Sequence, residues 1–151
     1  MTDNDMNQIF EKMNLPKKIG EIESNDWDYF KEKFNITDID LNFVIFMDLI
    51  NHFEFPGDIY FLIKSEINDN IFNVYDHEIK YGDWNASLIP FYGIGNGDYF
   101  CISGKDFPVA RVYFFDHSDN SVIVKYFSFE DFVNDIHVYI TIGAHLAVER
   151  C

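Results

Sequence analysis

The segment from Leu88 to Ser103, LIPFYGIGNGDYFCIS, decides the fold that we expect for this chain. Its two apolar runs, 88–92 and 99–102, flank Gly, Asn and Asp residues, which tolerate positive φ angles and form turns. The segment therefore predicts a β-hairpin. Two more runs, 109–115 and 121–127, are rich in β-branched and aromatic residues and are separated by the turn sequence DHSDN. The four runs together predict an antiparallel meander.

The rest of the chain predicts helices that pack on this sheet. Apolar residues recur at helical spacing over about residues 1–14, 25–34, 41–53 and 69–80, and in a segment that begins at Ser128. The run from Ile59 to Ile63 is apolar throughout, which is typical of a central strand. We expect an α+β fold with N-terminal helices, a largely antiparallel sheet and a C-terminal helix packed on it, in a single domain over residues 1–151.

The charge balance limits the classes of function. The chain has 26 acidic and 11 basic residues, which leaves a formal net charge of −15 at pH 7. Such a charge repels nucleic acid and anionic membranes and favours a basic partner, and it also favours a monomer when the protein is free. No run approaches the roughly 20 apolar residues of a membrane helix. The acidic N-terminal sequence does not resemble a secretory signal, so we expect a cytoplasmic protein.

Three groups of residues could carry chemistry. The GIGNG sequence at 93–97 lacks the third glycine of a phosphate-binding loop, because Asp98 takes that place, and a strand pattern follows it. The segment 116–119 collects a histidine, a serine and two aspartates, but adjacent turn residues rarely converge on one point, so capping of backbone amides is favoured. A carboxylate pair of Glu78 and Asp98 has no separation that the sequence defines.

Metal ligation and catalysis are therefore not what the sequence predicts. The two cysteines and five histidines show none of the short spacings that are typical of zinc sites. We expect no catalytic residue, no metal and no cofactor. An acidic, aromatic-rich domain of this kind is better suited to binding a protein.

The meander carries a pattern that resembles the SUKH superfamily, which is named partly for relatives of a fungal regulator of cell-wall synthesis. The resemblance covers residues 84–135 well. It rests on a strand ending in Pro90-Phe91, a Gly97-Asp98-Tyr99 hairpin, a Pro108-Val109 strand ending in Asp116-His117, and a C-terminal helix with spaced phenylalanines at 127, 129 and 132.

The resemblance implies a non-catalytic α+β domain and, for bacterial members, an immunity protein that neutralises a cognate toxin domain, often a nuclease used between competing cells. A nuclease presents a basic surface to its substrate, which the charge of −15 complements. We predict that an acidic and aromatic surface binds this partner through Glu78, Trp84, Asp98, Tyr99, Asp116 and Asp119. Two alternatives are a regulatory scaffold of the same fold, and a small-molecule-binding domain or enzyme that uses the concave sheet face and residues 116–119.

Overall fold

The helices and strands follow the predicted order closely. The computed structural model describes residues 2–15, 24–50, 58–59, 70–94 and 96–141. The helices are α1 (Asp3–Met13), α2 (Ser24–Phe34), α3 (Leu41–Ile50), α4 (Ile71–Tyr81) and α5 (Phe129–Thr141), and the strands are β1 (Asp58–Ile59), β2 (Leu88–Gly93), β3 (Tyr99–Ser103), β4 (Val112–Asp116) and β5 (Ser121–Tyr126). This arrangement confirms the α+β fold. Among the described residues, no helix combines the length and the apolar character needed to cross a membrane.

The strands form one antiparallel sheet in the order β1-β2-β3-β4-β5, so the predicted meander is confirmed. β1 was expected in the centre of the sheet, but in the described part of the chain it is the outermost strand, because β3 occupies the other edge of β2. Residues 60–63 of that predicted strand lie outside the described residues. β4 begins at Val112 and not at 109, because a 3-10 turn (Gly104–Asp106) and a loop precede it.

Side chains of the sheet alternate between two apolar clusters. Phe100, Ile102 and Phe114 belong to the main core, which they share with the helices. Cys101 and Phe115, which are their neighbours along β3 and β4, belong to a second, smaller cluster. Successive side chains of a strand point to opposite faces, so the helices cover one face of the sheet and the small cluster lies on the other.

Aromatic rings join the helices to the sheet. Rings from α3, β2 and α5 lie with centroids 5.2 to 6.5 Å apart, mostly edge to face; they are Phe43, Phe46, Phe91, Phe129 and Phe132. This geometry is the preferred one for aromatic pairs. α1 also enters the core, because its Met6 and Phe10 are fully buried.

Side-chain caps fix the starts of α3, α4 and α5. The Asn70 side chain accepts a hydrogen bond from the Asn73 amide at the start of α4, and the Ser128 hydroxyl accepts one from Asp131 at the start of α5. The sequence predicted that α5 begins at Ser128 and that α4 begins near residue 69. Asp40 caps α3 by accepting from the amides of Asn42 and Phe43. Each cap satisfies donors that the first turn of a helix leaves without partners.

Replacement of Phe91 tests the aromatic core. We expect Phe91→Ala to lower the free energy of unfolding by about 3 to 5 kcal/mol, because it opens a cavity among buried rings. Urea denaturation measures the change. The control is Phe127→Ala, which removes a ring that is 70% exposed and should cost less than about 1 kcal/mol. Equal denaturation midpoints for the two variants would show that Phe91 is not in the core.

Candidate functional site

Of the six residues predicted for partner binding, four lie at one end of the sheet, and Glu78 and Trp84 contact one of these four, Tyr99. We call the six residues together the hairpin surface. Its members are Glu78, Trp84, Asp98, Tyr99, Asp116 and Asp119. The Tyr99 hydroxyl donates a hydrogen bond to Glu78 Oε1 at 3.0 Å, so α4 is tied to the sheet. The Trp84 ring lies edge-on to Tyr99 at 5.7 Å and 4.8 Å from the ring of Phe115, which directly precedes Asp116.

The aromatic part of the hairpin surface covers the small cluster on the outer sheet face. Leu88, Cys101 and Phe115 are buried there, and Trp84 and Tyr99 pack over them. The Trp84 indole donates to the Leu88 carbonyl at 2.9 Å, which fixes the ring. The two aromatic side chains are therefore held rigidly while part of each remains open to solvent.

The Cys101 thiol beneath these rings is a packed core group. Its burial, with a smaller effect of the Glu78 carboxylate, raises the pKa of the Cys101 thiol well above its ordinary value. The thiolate is the reactive form of cysteine, and both causes disfavour that form. Cys101 is thus a protonated, apolar filler in the folded protein.

Asp98 joins the β2–β3 turn to the β4–β5 turn. Its side chain is only 6% exposed. Its Oδ1 accepts hydrogen bonds from the His117 backbone amide at 2.9 Å and from the His117 ring Nδ1 at 2.7 Å. The Asp98 amide in turn donates to Asn96 Oδ1 at 3.0 Å. Asp98 therefore holds the β2–β3 turn against the β4–β5 turn, and its predicted role in partner binding stays a prediction.

Gly97 is required beside this link. Its φ of +95° lies in a region that residues with a side chain rarely adopt. A Cβ atom at this position would also lie 3.0 Å from His117 Cγ, so the ring could not keep its place. The Gly-Asp and Asp-His pairs of the sequence pattern thus meet in space as one hydrogen-bonded unit.

Asp116 and Asp119 shape the β4–β5 turn, as predicted. Asp116 Oδ1 accepts from the amide of Ser118 at 2.9 Å and from its hydroxyl at 2.7 Å. Asp119 Oδ1 accepts from the Ser121 amide at 3.0 Å. Asp116 is half-buried and Asp119 is exposed, so both residues remain accessible to solvent while they shape the turn.

Asp98, Asp116 and His117 also have the composition of a metal site, since their ligand atoms lie within 4.8 Å of one another. The hydrogen bonds explain this closeness. Asp98 Oδ1 already accepts two of them, and one comes from His117 Nδ1, which must carry a proton to donate. A protonated Nδ1 has no lone pair for a metal, so we assign the group to the link between the turns.

Sequence reasoning missed two residues that hold these surfaces in place, Tyr113 and Asp40. The Tyr113 hydroxyl donates to Asp106 Oδ2 at 2.6 Å, and burial together with this carboxylate raises the pKa of Tyr113 to about 12. The alternation along β4 places Tyr113 on the same face as Phe115 and could have revealed it. Asp40, immediately before an apolar helical pattern, carries the signal of an N-cap.

Replacement of Asp98 tests its role between the turns. We expect Asp98→Ala to lower the free energy of unfolding by about 1 to 3 kcal/mol, because the His117 amide loses its acceptor in a buried setting. Asp119→Ala is the matched control and should cost less than about 1 kcal/mol, since its carboxylate is exposed and caps a single amide. Urea denaturation of both variants provides the comparison, and an equal cost would contradict the assignment.

Comparison with known proteins places the chain in a family. Neither a curated protein nor a solved structure matches the chain significantly. The SUKH_6 family model, described as SMI1-KNR4 cell-wall, matches residues 20–133. This match covers well over half of the 151 residues and includes the helices α2 to α4, all five strands and the hairpin surface. The chain therefore belongs to the SUKH superfamily.

Proposed function

We propose that this protein is an immunity protein, which binds and neutralises a cognate toxin domain. The observation that carries the proposal is the SUKH family match over residues 20–133, because membership is consistent with an immunity role. The contact is made by the hairpin surface. The toxin domain is basic, and a nuclease is the activity that best fits a basic partner.

The charge of the chain supports a basic partner. At −15, the protein attracts a positively charged surface over long range and repels anionic polymers. Attraction of this kind raises association rates to about 10⁸ M⁻¹s⁻¹ or more at low salt. Rapid capture suits an immunity protein, because a toxin must be bound before it acts on the cell that makes or receives it.

The composition of the hairpin surface also supports protein binding. Trp84 and Tyr99 are large rings held in place by intramolecular contacts, so little side-chain freedom is lost when a partner covers them. The Glu78 carboxylate accepts from Tyr99, and those of Asp116 and Asp119 lie in the β4–β5 turn at the same end of the sheet as Tyr99. At protein interfaces, aromatic residues surrounded by a polar rim often contribute most of the binding energy.

Neutralisation follows from this chemistry. A nuclease holds phosphates with lysine and arginine side chains, and carboxylates pair with the same cations. A bound acidic surface therefore takes the place of the phosphate backbone and excludes the substrate from the basic face of the toxin.

Co-expression with the polypeptide encoded immediately upstream tests the proposed function. We expect the two proteins to co-purify and the growth defect caused by that polypeptide to disappear. A lack of both binding and rescue, with both proteins folded, would overturn the proposal. In that case a thermal-shift screen separates the alternatives, since a small molecule at 100 times its dissociation constant stabilises a binding domain by about 2.7 kcal/mol, whereas a regulatory scaffold gains nothing.

The contribution of the acidic rim is tested by Asp119→Asn. We expect affinity for the same polypeptide to fall about 1.5- to 5-fold, mainly through slower association, and its dependence on salt to become weaker. The asparagine oxygen can still accept from Ser121, so the turn is kept. Asp28→Asn on α2 removes one negative charge from another exposed position and is the control. Equal effects of the two changes would mean that only the total charge matters.

A further inference from the structure

The end of the sheet opposite the hairpin surface contains a groove, which we call the loop groove. It has a volume of about 820 Å³ and lies between the α2–α3 connection, the β3–β4 connection and the start of α5. Its apolar lining includes Leu41, Pro108, Val109 and Phe129, and its acidic lining includes Asp38 and Glu130.

Exposed apolar side chains are grouped at the rim of the loop groove. Leu41 is 71% exposed and Val109 is 62% exposed, and both line the groove. Phe127, which is 70% exposed, directly precedes the lining residue Ser128. These are three of the four most exposed large hydrophobic side chains in the described part of the chain. Grouped apolar exposure of this kind marks interaction sites more often than scattered single residues do.

Hydrogen bonds fix the walls of the loop groove before any partner arrives. Asp40 is 5% exposed and joins two of the walls. Its Oδ1 accepts from the Asn42 amide at 2.8 Å at the start of α3, and its Oδ2 accepts from the Ala110 amide at 2.7 Å in the loop after Val109. A groove that is already formed loses little conformational entropy on binding.

The charges around the loop groove indicate which partner it receives. Asp38 and Glu130 line the groove, and the buried Asp40 lies behind them. The nearby cations are Lys31 in the lining and Arg111, which lies over the Phe127 ring at 5.8 Å. Acidic groups therefore outnumber basic ones. A second copy of this chain is a poor occupant, because two bodies of charge −15 repel each other. A basic protein that offers an apolar side chain matches both the rim and the charge.

We propose that the loop groove receives an apolar side chain of the basic toxin domain, next to a lysine or arginine that pairs with Asp38 or Glu130. This inference rests on the proposed function and adds an anchor point to its interface. A single partner is wide enough to reach both ends of the sheet. The distance between the ends is about 17 Å, the length of the five-residue strand β4, whereas an interface of about 800 Å² per partner is about 30 Å across.

The test uses the full chain and the upstream-encoded polypeptide. We expect the double variant Leu41→Ala/Val109→Ala to weaken binding at least tenfold, mainly through faster dissociation, because it removes apolar contacts and leaves the charge unchanged. Ile123→Ala is the control, since it truncates another exposed hydrophobic residue, 54% exposed on β5, and should change affinity less than twofold. Equal urea midpoints for the variants and the wild type show that folding is kept.

The outcomes separate this inference from the proposed function. Wild-type binding and rescue, with affinity of the double variant within twofold of wild type, would overturn the role of the loop groove and leave the immunity function in place. A wild type that neither binds nor rescues would overturn both. Hydroxyl-radical footprinting of the wild-type complex provides a measurement without mutations: we expect Leu41 and Phe127 to be protected, and unchanged oxidation of both would contradict the proposal.

Discussion

The packing of aromatic rings between the helices and the inner face of the sheet is the constraint on which the rest of the structure depends. Phe91 from β2 contacts rings of α3 and α5, so one residue joins three elements that are distant in sequence. Aromatic side chains bury large areas and also prefer defined angles, which orient the helices as well as holding them. The outer face and both ends of the sheet are then left to carry the surfaces that we propose for partner binding.

Two buried carboxylates define those ends. Asp98 links the two turns at one end through His117, and Asp40 links α3 to the β3–β4 loop at the other through Ala110. Both accept hydrogen bonds from backbone amides, which compensates for the loss of water around a carboxylate. These two buried residues therefore organise the proposed binding surfaces, while exposed ones such as Asp119 and Asp38 provide their charge. Buried aspartates thus fix the shape of these surfaces, whereas exposed aspartates supply their negative charge.

This division suits an immunity role. The net charge acts at long range and does not require any one side chain to be positioned, so it governs the rate of encounter. In the proposed complex, rigid groups such as Trp84 and Tyr99 act at short range and govern how long the complex lasts.

Local patterns in the sequence determined most of the elements. The alternation of apolar residues, the Gly-Asn-Gly-Asp turn and the caps at Asn70 and Ser128 act within a few residues of themselves, so the meander and the helix starts could be predicted. The net charge is a sum over the chain, and it suggested a basic partner without any structure. The Asx-type turn at residues 116–119 was likewise predictable, because its hydrogen bonds span two residues.

Only the tertiary structure decided which residues meet across long separations. Asp98 bonds to His117 on another turn, and the sequence contains no distance between these two residues. The outer position of β1 depends on which edge of β2 is taken by β3, and the loop groove depends on Asp40 reaching Ala110. Burial and long-range pairing are properties of the packed chain as a whole, whereas sequence patterns report only the preferences of neighbouring residues.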